Sequence, residues 1–86
     1  MKKADTLKRG DLVAIDWWDA FSIDPWMSFE AVVDGVKELS LCHTVGYVVV
    51  DYETSISICH SFNDDGRVCG SLQIPKCSIK GEIKKL

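Results

Sequence analysis

Residues 55–75 read SISICHSFNDDGRVCGSLQIP, and this stretch decides the fold class. From Ser55 to Phe62, isoleucines, a histidine and a phenylalanine alternate with serines and a cysteine, which is the period-2 pattern of a β-strand. Residues 63–66, NDDG, form a strong hairpin-turn sequence. The residues that follow predict the returning strand, which Pro75 ends because proline cannot donate a ladder hydrogen bond. The sequence therefore predicts a β-hairpin in the C-terminal half.

Two further strands are predicted before this hairpin. Residues 12–18 place Val13, Ile15 and Trp17 on one face, and residues 44–51 show a similar alternation. Because Trp17 shares its face of the strand with Val13 and Ile15, we assign Trp17 to the core. We expect the two strands to join the hairpin in one β-structure.

The apolar period changes between these two strands. Apolar residues recur at the spacing i, i+3, i+4, i+7 and i+10 of a helical stripe: Phe29, Val32, Val33, Val36 and Leu39. Ser28 is the predicted N-cap, and Glu30 lies favourably in the first turn. Gly35 and the valines weaken the helix. We therefore expect a short helix that is stabilised by packing against the strands.

The C-terminal residues complete the predicted architecture. Residues 75–79 predict one 3₁₀ turn, and residues 79–86 predict a last strand. The fold prediction is thus mainly β: residues 1–86 form a single domain, a small five-stranded SH3-like barrel with one short helix inserted after the first strand. Barrel closure would remove exposed sheet edges. An OB-like barrel is the main alternative, although it usually carries its helix between strands three and four.

Composition narrows the class of protein. The chain has 86 residues, of which 47% are hydrophobic and 27% are charged, so it is not a disordered tail. Its unbroken apolar runs, such as residues 47–50, do not exceed four residues and are too short to span a bilayer, and no apolar stretch of a signal peptide follows the N-terminus. We expect no membrane association and, without secretion, reduced thiols at all four cysteines.

Charge is segregated along the chain. The net charge of −3 divides into +3 for residues 1–10, −10 for residues 11–65 and +4 for residues 66–86. The acidic middle should repel a nucleic acid backbone, so double-stranded nucleic acid is disfavoured as a partner.

Residues 16–26, DWWDAFSIDPW, contain all three tryptophans and three aspartates. In an SH3-like barrel the loop after the first strand flanks the binding groove, an argument from fold analogy. The residues predicted to bind a ligand or partner are Trp18, Asp19, Phe21, Asp24 and Trp26. Such a wall can dock a peptide or stack a ring, and the aspartates favour a basic partner. The alternative is that Phe21 and Trp26 only pin the helix to the barrel.

Catalytic and metal sites are not predicted. Cys42-His43 and Cys59-His60 suggest a zinc site, but neighbouring side chains on a strand point to opposite faces. The same parity prevents assembly of a nucleophile, a base and an orienting group. Cys77 has positive surroundings, since it follows Lys76 and precedes Lys80, but a small side chain that fills a turn is the favoured interpretation. We therefore expect a non-enzyme with no cofactor and no metal.

Several motifs in order resemble a group of small uncharacterised bacteriophage proteins. They cover nearly the whole chain: Gly10-Asp11-Leu12-Val13, Trp17 with Asp19-Ala20 and Ser22, Trp26-Met27-Ser28, Cys42 before Thr44-Val45-Gly46-Tyr47, and Ile74-Pro75-Lys76 leading to Ile79-Lys80 and a basic tail ending in Leu86. The resemblance implies a viral protein that works in the cytoplasm of a bacterial host. It carries over no catalytic residues.

Two functions are predicted on these grounds. The preferred one is a non-catalytic binding module, a phage accessory or counter-defence protein that engages a host protein through the aromatic-acidic loop. The alternative is a small-ligand binder that sequesters a signalling nucleotide, with stacking by the aromatic residues. The residues predicted to bind its phosphates are Lys8, Arg9, Lys76 and Lys80. Binders of this second kind are often oligomers, so a homo-oligomer is compatible with it.

Overall fold

The structure, a computed structural model, describes residues 7–20, 22, 24–36 and 38–86. Strand makes up 47% of it and helix 13%, which confirms the prediction of a mainly β fold. The strands are β1 (Leu12–Asp19), β2 (Ser40–Asp51), β3 (Ser55–Cys59), β4 (Ser61–Phe62), β5 (Val68–Cys69), β6 (Leu72–Pro75) and β7 (Lys84–Lys85). One helix, α1 (Phe29–Gly35), follows β1, and a 3₁₀ turn covers Lys76–Ser78; both were predicted.

Five of the strands form one antiparallel sheet in the order β6-β3-β2-β1-β7, while β4 and β5 form a separate two-stranded ribbon. β2 is the longest strand, and it pairs with β1 along residues 40–47 and with β3 along residues 47–51. The second pairing shifts register between Val48 and Val50, the irregularity of a β-bulge, which bends a strand.

The core lies on one face of this sheet. Its fully buried side chains are branched aliphatics from four strands: Val13, Ile15, Val48, Ile56, Ile58 and Ile74. Trp17 packs against this cluster but is only partly buried, and its Nε1 donates to Thr44 Oγ1 at 2.9 Å. The assignment of Val13 and Ile15 to the core is confirmed, whereas Trp17 lies at the margin.

Both strands of the predicted hairpin, residues 55–75, are interrupted: the first gives β3 and β4, and the returning one gives β5 and β6, the last of which includes Pro75. The sequence predicts one strand from Ser55 to Phe62, but that strand breaks at His60, whose N–H donates to the carbonyls of Cys69 at 2.9 Å and Gly70 at 3.1 Å. Ile58 and Cys59 are both buried, so the alternation fails there. The end of the hairpin therefore leaves the main sheet as the β4–β5 ribbon.

The turn itself forms as predicted. Asn63 Oδ1 accepts from the backbone N–H groups of Asp65 and Arg67, each at 3.0 Å, and Gly66 adopts a positive φ of 83°. An asparagine side chain that bonds the backbone ahead of it is a local turn device that the sequence reveals directly.

Two expectations about packing and extent were wrong. The predicted last strand shortens to β7, because the chain bends at Gly81, and Ile79 makes only a single bridge with Trp17. α1 is not packed against the sheet, since none of its residues is buried. Among the described residues, no helix has the length and apolar character that crossing a bilayer requires.

Candidate functional site

The connection between β1 and β2 carries a set of exposed apolar side chains, which we call the apolar segment. Its members are Trp26, Met27, Phe29, Val32, Val33, Val36 and Leu39. Trp26 is fully exposed, and Phe29 keeps 91% of its surface accessible. An apolar stripe of this size on a surface is typical of a protein interaction site.

Local chemistry explains why part of this segment is helical. Ser28, in an extended conformation, accepts a hydrogen bond from the Ala31 N–H at 3.1 Å through its hydroxyl, as an N-cap does. The helix stops at Gly35, and Val36 is already extended. Isolated helices this short are marginal in water, so packing is needed to hold them. The packing surface is missing within the described part of the chain.

Acidic residues accompany the apolar segment. Residues 24–39 contain four acids, Asp24, Glu30, Asp34 and Glu38, and one base, which gives the stretch a net charge of −3. The four acids are all exposed. Apolar anchors flanked by carboxylates suit a partner with an apolar groove and a basic rim.

The residues predicted to form the aromatic wall are distributed over two elements. Trp18 and Asp19 end β1, both exposed, whereas Asp24 and Trp26 lie in the loop before α1, also exposed. Phe21 lies outside the described residues. Trp18 has a neighbour that sequence reasoning missed. The Lys80 ammonium lies 5.8 Å from the centroid of the Trp18 ring, a cation–π distance.

The four predicted phosphate-binding residues have different surroundings. Arg9 Nε donates to the Val49 carbonyl at 3.1 Å, and the Lys76 ammonium pairs with the Asp51 carboxylate. Lys80 lies over Trp18, and the exposed Lys8 contributes its backbone N–H to Asp11. These contacts tie Arg9 and Lys76 to the C-terminal end of β2 but Lys80 to β1.

A cleft between β2 and the β4–β5 ribbon was not predicted. Its volume is about 530 Å³, within the range of small-molecule sites. Val48 and Cys59 are its buried apolar residues, Phe62 and Val68 belong to the ribbon, and Arg9 contributes the only cation of its lining. The Phe62 ring meets Tyr47 edge to face, with centroids 5.0 Å apart, which holds it in place. The break at His60 creates this cleft, and the strand pattern gave no sign of it.

Two carboxylates near the sheet have perturbed acidity. The His43 imidazole, 2.7 Å from the Asp16 carboxylate, lowers the pKa of Asp16. The Lys8 backbone N–H, 2.8 Å from Asp11, lowers the pKa of Asp11, and Lys85 adds to this effect. Both pairs are exposed, and they stabilise the ionised carboxylates.

The cysteines and histidines do not form a metal centre in the described parts of the chain, where no three His, Cys, Asp or Glu side chains converge. The four cysteines are free thiols, with Cys59 buried and Cys69 and Cys77 exposed. Comparison with known proteins adds no further site, since no family model, curated protein or solved structure matches the chain.

Proposed function

We propose that this protein is a non-catalytic binding module that docks its apolar segment into an apolar groove with a basic rim on another protein. The observation that carries the proposal is the full exposure of Trp26 and Phe29 beside a capped helix none of whose residues is buried against the described part of the chain. The mode is a short amphipathic helix in a groove, with Phe29, Val32 and Val33 as its anchors at i, i+3 and i+4.

Charge selects the partner. The stretch 24–39 carries a net charge of −3, so two copies of it would repel each other, while lysines or arginines around a groove would attract it. That the partner is a bacterial host protein, met in the host cytoplasm by a phage accessory or counter-defence protein, follows from the resemblance of the motifs to small bacteriophage proteins.

We also infer that the scaffold is an SH3-like barrel. The sheet order β6-β3-β2-β1-β7, the bend in β2 and the 3₁₀ turn before the last strand support this inference. An experimental structure in which β6 and β7 stay far apart, as in an open sheet, would contradict it.

The test compares proteins captured from a bacterial lysate by the full chain and by a variant with Trp26, Phe29 and Val33 changed to Ser. A matched control changes Tyr52 and Val68, exposed apolar residues elsewhere, to Ser. We expect the first variant alone to lose the specifically captured protein. With that protein purified, Kd should rise with salt, as opposite charges require. Equal capture by all three forms would overturn the proposal.

A second function is favoured by the cleft. A small anionic ligand with a flat ring, such as a nucleotide, can place its ring against Phe62 and Val68 and its phosphate at the Arg9 guanidinium. Arg9 belongs to the phosphate-binding set predicted from sequence, but the ring contact moves from the tryptophans to the ribbon.

A thermal-shift series with cyclic and linear nucleotides tests this second function. Ligand at 100 times its Kd adds about 2.7 kcal/mol to the free energy of unfolding. We expect Arg9→Gln to remove the shift and Lys8→Gln to keep it, since Lys8 does not line the cleft. No shift with any nucleotide, or an equal shift in both variants, would contradict it.

A further inference from the structure

Among the described residues, β2 pairs with a strand on only one side along its first half. Residues 40–47 pair with β1, but pairing with β3 starts only at Tyr47. In the described parts of the chain, no strand pairs with the other side of residues 40–46. This side is therefore a sheet edge that adjoins the apolar segment, which ends at Leu39.

The hydrogen bonds of β1 show which backbone groups point outward. In an antiparallel ladder, successive residues face their two neighbouring strands alternately. The Asp16 carbonyl accepts from the Lys80 N–H at 2.8 Å, so Asp16 faces away from β2. Its register partner His43 consequently faces away from β1. Four residues later in the same phase, Tyr47 does pair with Cys59 of β3, which confirms the alternation.

Every second residue of β2 faces away from β1, so the outward-facing residues of the open edge are Leu41, His43 and Val45. Each directs its backbone N–H and C=O away from β1, where no strand of the described chain receives them. Val45 also has an exposed side chain.

This edge lacks the usual protection against strand pairing. Native edges are blunted by charged side chains, by proline or by shortness. The edges at β7 and β6 follow this rule, with Lys84 and Lys85 on the first and Pro75 on the second. Residues 39–50 contain no Asp, Glu, Lys or Arg.

We propose that this edge pairs antiparallel with the same edge of a second copy of the chain, around a two-fold axis at His43. Leu41 of one protomer then lies opposite Val45 of its partner, and each facing pair exchanges both of its N–H···O bonds. The outward groups are spaced evenly about His43, so the edge is complementary to itself and the interface closes as a dimer. This dimer goes beyond the proposed function, because it would carry two copies of the apolar segment.

Absence of charge favours a second copy as the occupant. The chain is acidic, and like charges brought together oppose self-association, yet the edge strand itself carries no Asp, Glu, Lys or Arg, and the Asp16 carboxylate beside it is paired with His43. Two copies of the apolar segment, by contrast, would bring their flanking acids together and repel each other. On electrostatic grounds, two copies of the chain therefore pair more readily at this edge than at the apolar segment.

Sedimentation of the full chain over a range of concentrations tests the proposal. We expect a monomer–dimer equilibrium in the wild type, and Val45→Lys should raise the dimer Kd by about tenfold or more, because two charges then flank the axis. Val45→Thr, which keeps the β-branched shape, is the matched control and should dimerise. Circular dichroism confirms that both variants fold.

Amide exchange distinguishes this edge from other interfaces. Raising the concentration should slow exchange at Leu41, His43 and Val45 but leave Cys42 and Thr44 unchanged, because these two already face β1. A wild type that stays monomeric at every concentration would overturn the proposal. So would a dimer that Val45→Lys leaves intact, or one that dissociates when Trp26 and Phe29 become Ser.

Discussion

Gly70 lies directly against His60: a Cβ atom added to Gly70 would be 2.7 Å from the His60 Cβ. Gly70 also has a positive φ of 68°, and its carbonyl accepts from the His60 N–H. The hairpin bends at this contact, and the bend gives the cleft its second wall. Both the turning of the ribbon and the position of Phe62 therefore require a residue without a Cβ atom at position 70.

Gly70→Ala should therefore destabilise the protein by about 2 kcal/mol or more, since it adds a clash with the His60 Cβ to the cost of a left-handed residue. Chemical denaturation measures this change in the free energy of unfolding. Gly66→Ala is the matched control: its φ is 83°, but no atom lies within 4 Å of the added Cβ, so only the conformational cost of about 1 kcal/mol applies. Equal losses in the two variants would show that the His60 contact is not tight.

The hydrogen bond from Trp17 Nε1 to Thr44 Oγ1 should couple the margin of the core to β2. In a double-mutant cycle with Trp17→Phe and Thr44→Val, we expect a coupling of about 1 kcal/mol, the net worth of a partly buried hydrogen bond. Thermal or urea unfolding of the four proteins gives this value. A coupling of zero would mean that water replaces the bond at no cost.

Ser28→Ala should lower the population of α1 without lowering the melting temperature. The Ser28 hydroxyl caps a helix that buries none of its residues, so loss of about 1 kcal/mol of capping energy stays local. Chemical shifts of residues 29–35 report the helix, and calorimetry reports the global transition. If the melting temperature falls with the helix, α1 is packed in solution and the exposed stripe is covered.

The Asp16–His43 pair predicts an acid-dependent loss of stability. Because the folded-state pKa of Asp16 lies below its usual value of 3.8, the folded protein binds fewer protons than the unfolded chain in this range. The stabilisation is therefore complete above the usual value and is lost as the pH falls through the folded-state pKa. Asp16→Asn should flatten the decline of the melting temperature between about pH 5 and pH 2. His43→Leu removes the same hydrogen bond and should flatten it too; a decline as steep as the wild type in both variants would contradict the assignment.

Much of the architecture could be predicted from local patterns. The alternation in β1 identified Val13 and Ile15 as core residues, and the NDDG turn placed the hairpin. The Ser28 cap located the start of α1. These features are local, because period, turn chemistry and capping depend on residues within a few positions of each other.

The candidate sites were harder to predict. Alternation put His60 on the face of Ile56 and Ile58, but the contact with Gly70, ten residues away, breaks that face. The helical stripe predicted packing, because a period shows which residues share a face and not whether another surface covers it. Phe21, one of the five predicted binding residues, lies outside the described residues.

By itself, the sequence determined where β1 and α1 begin, the turn at residues 63–66 and the charge of each region, since all of these follow from neighbouring residues. Only the tertiary structure decided that the apolar segment is exposed, that Arg9 borders a cleft and that no described strand pairs with one side of residues 40–46. Those properties depend on burial and strand pairing, which are set by contacts between segments that are far apart in the sequence.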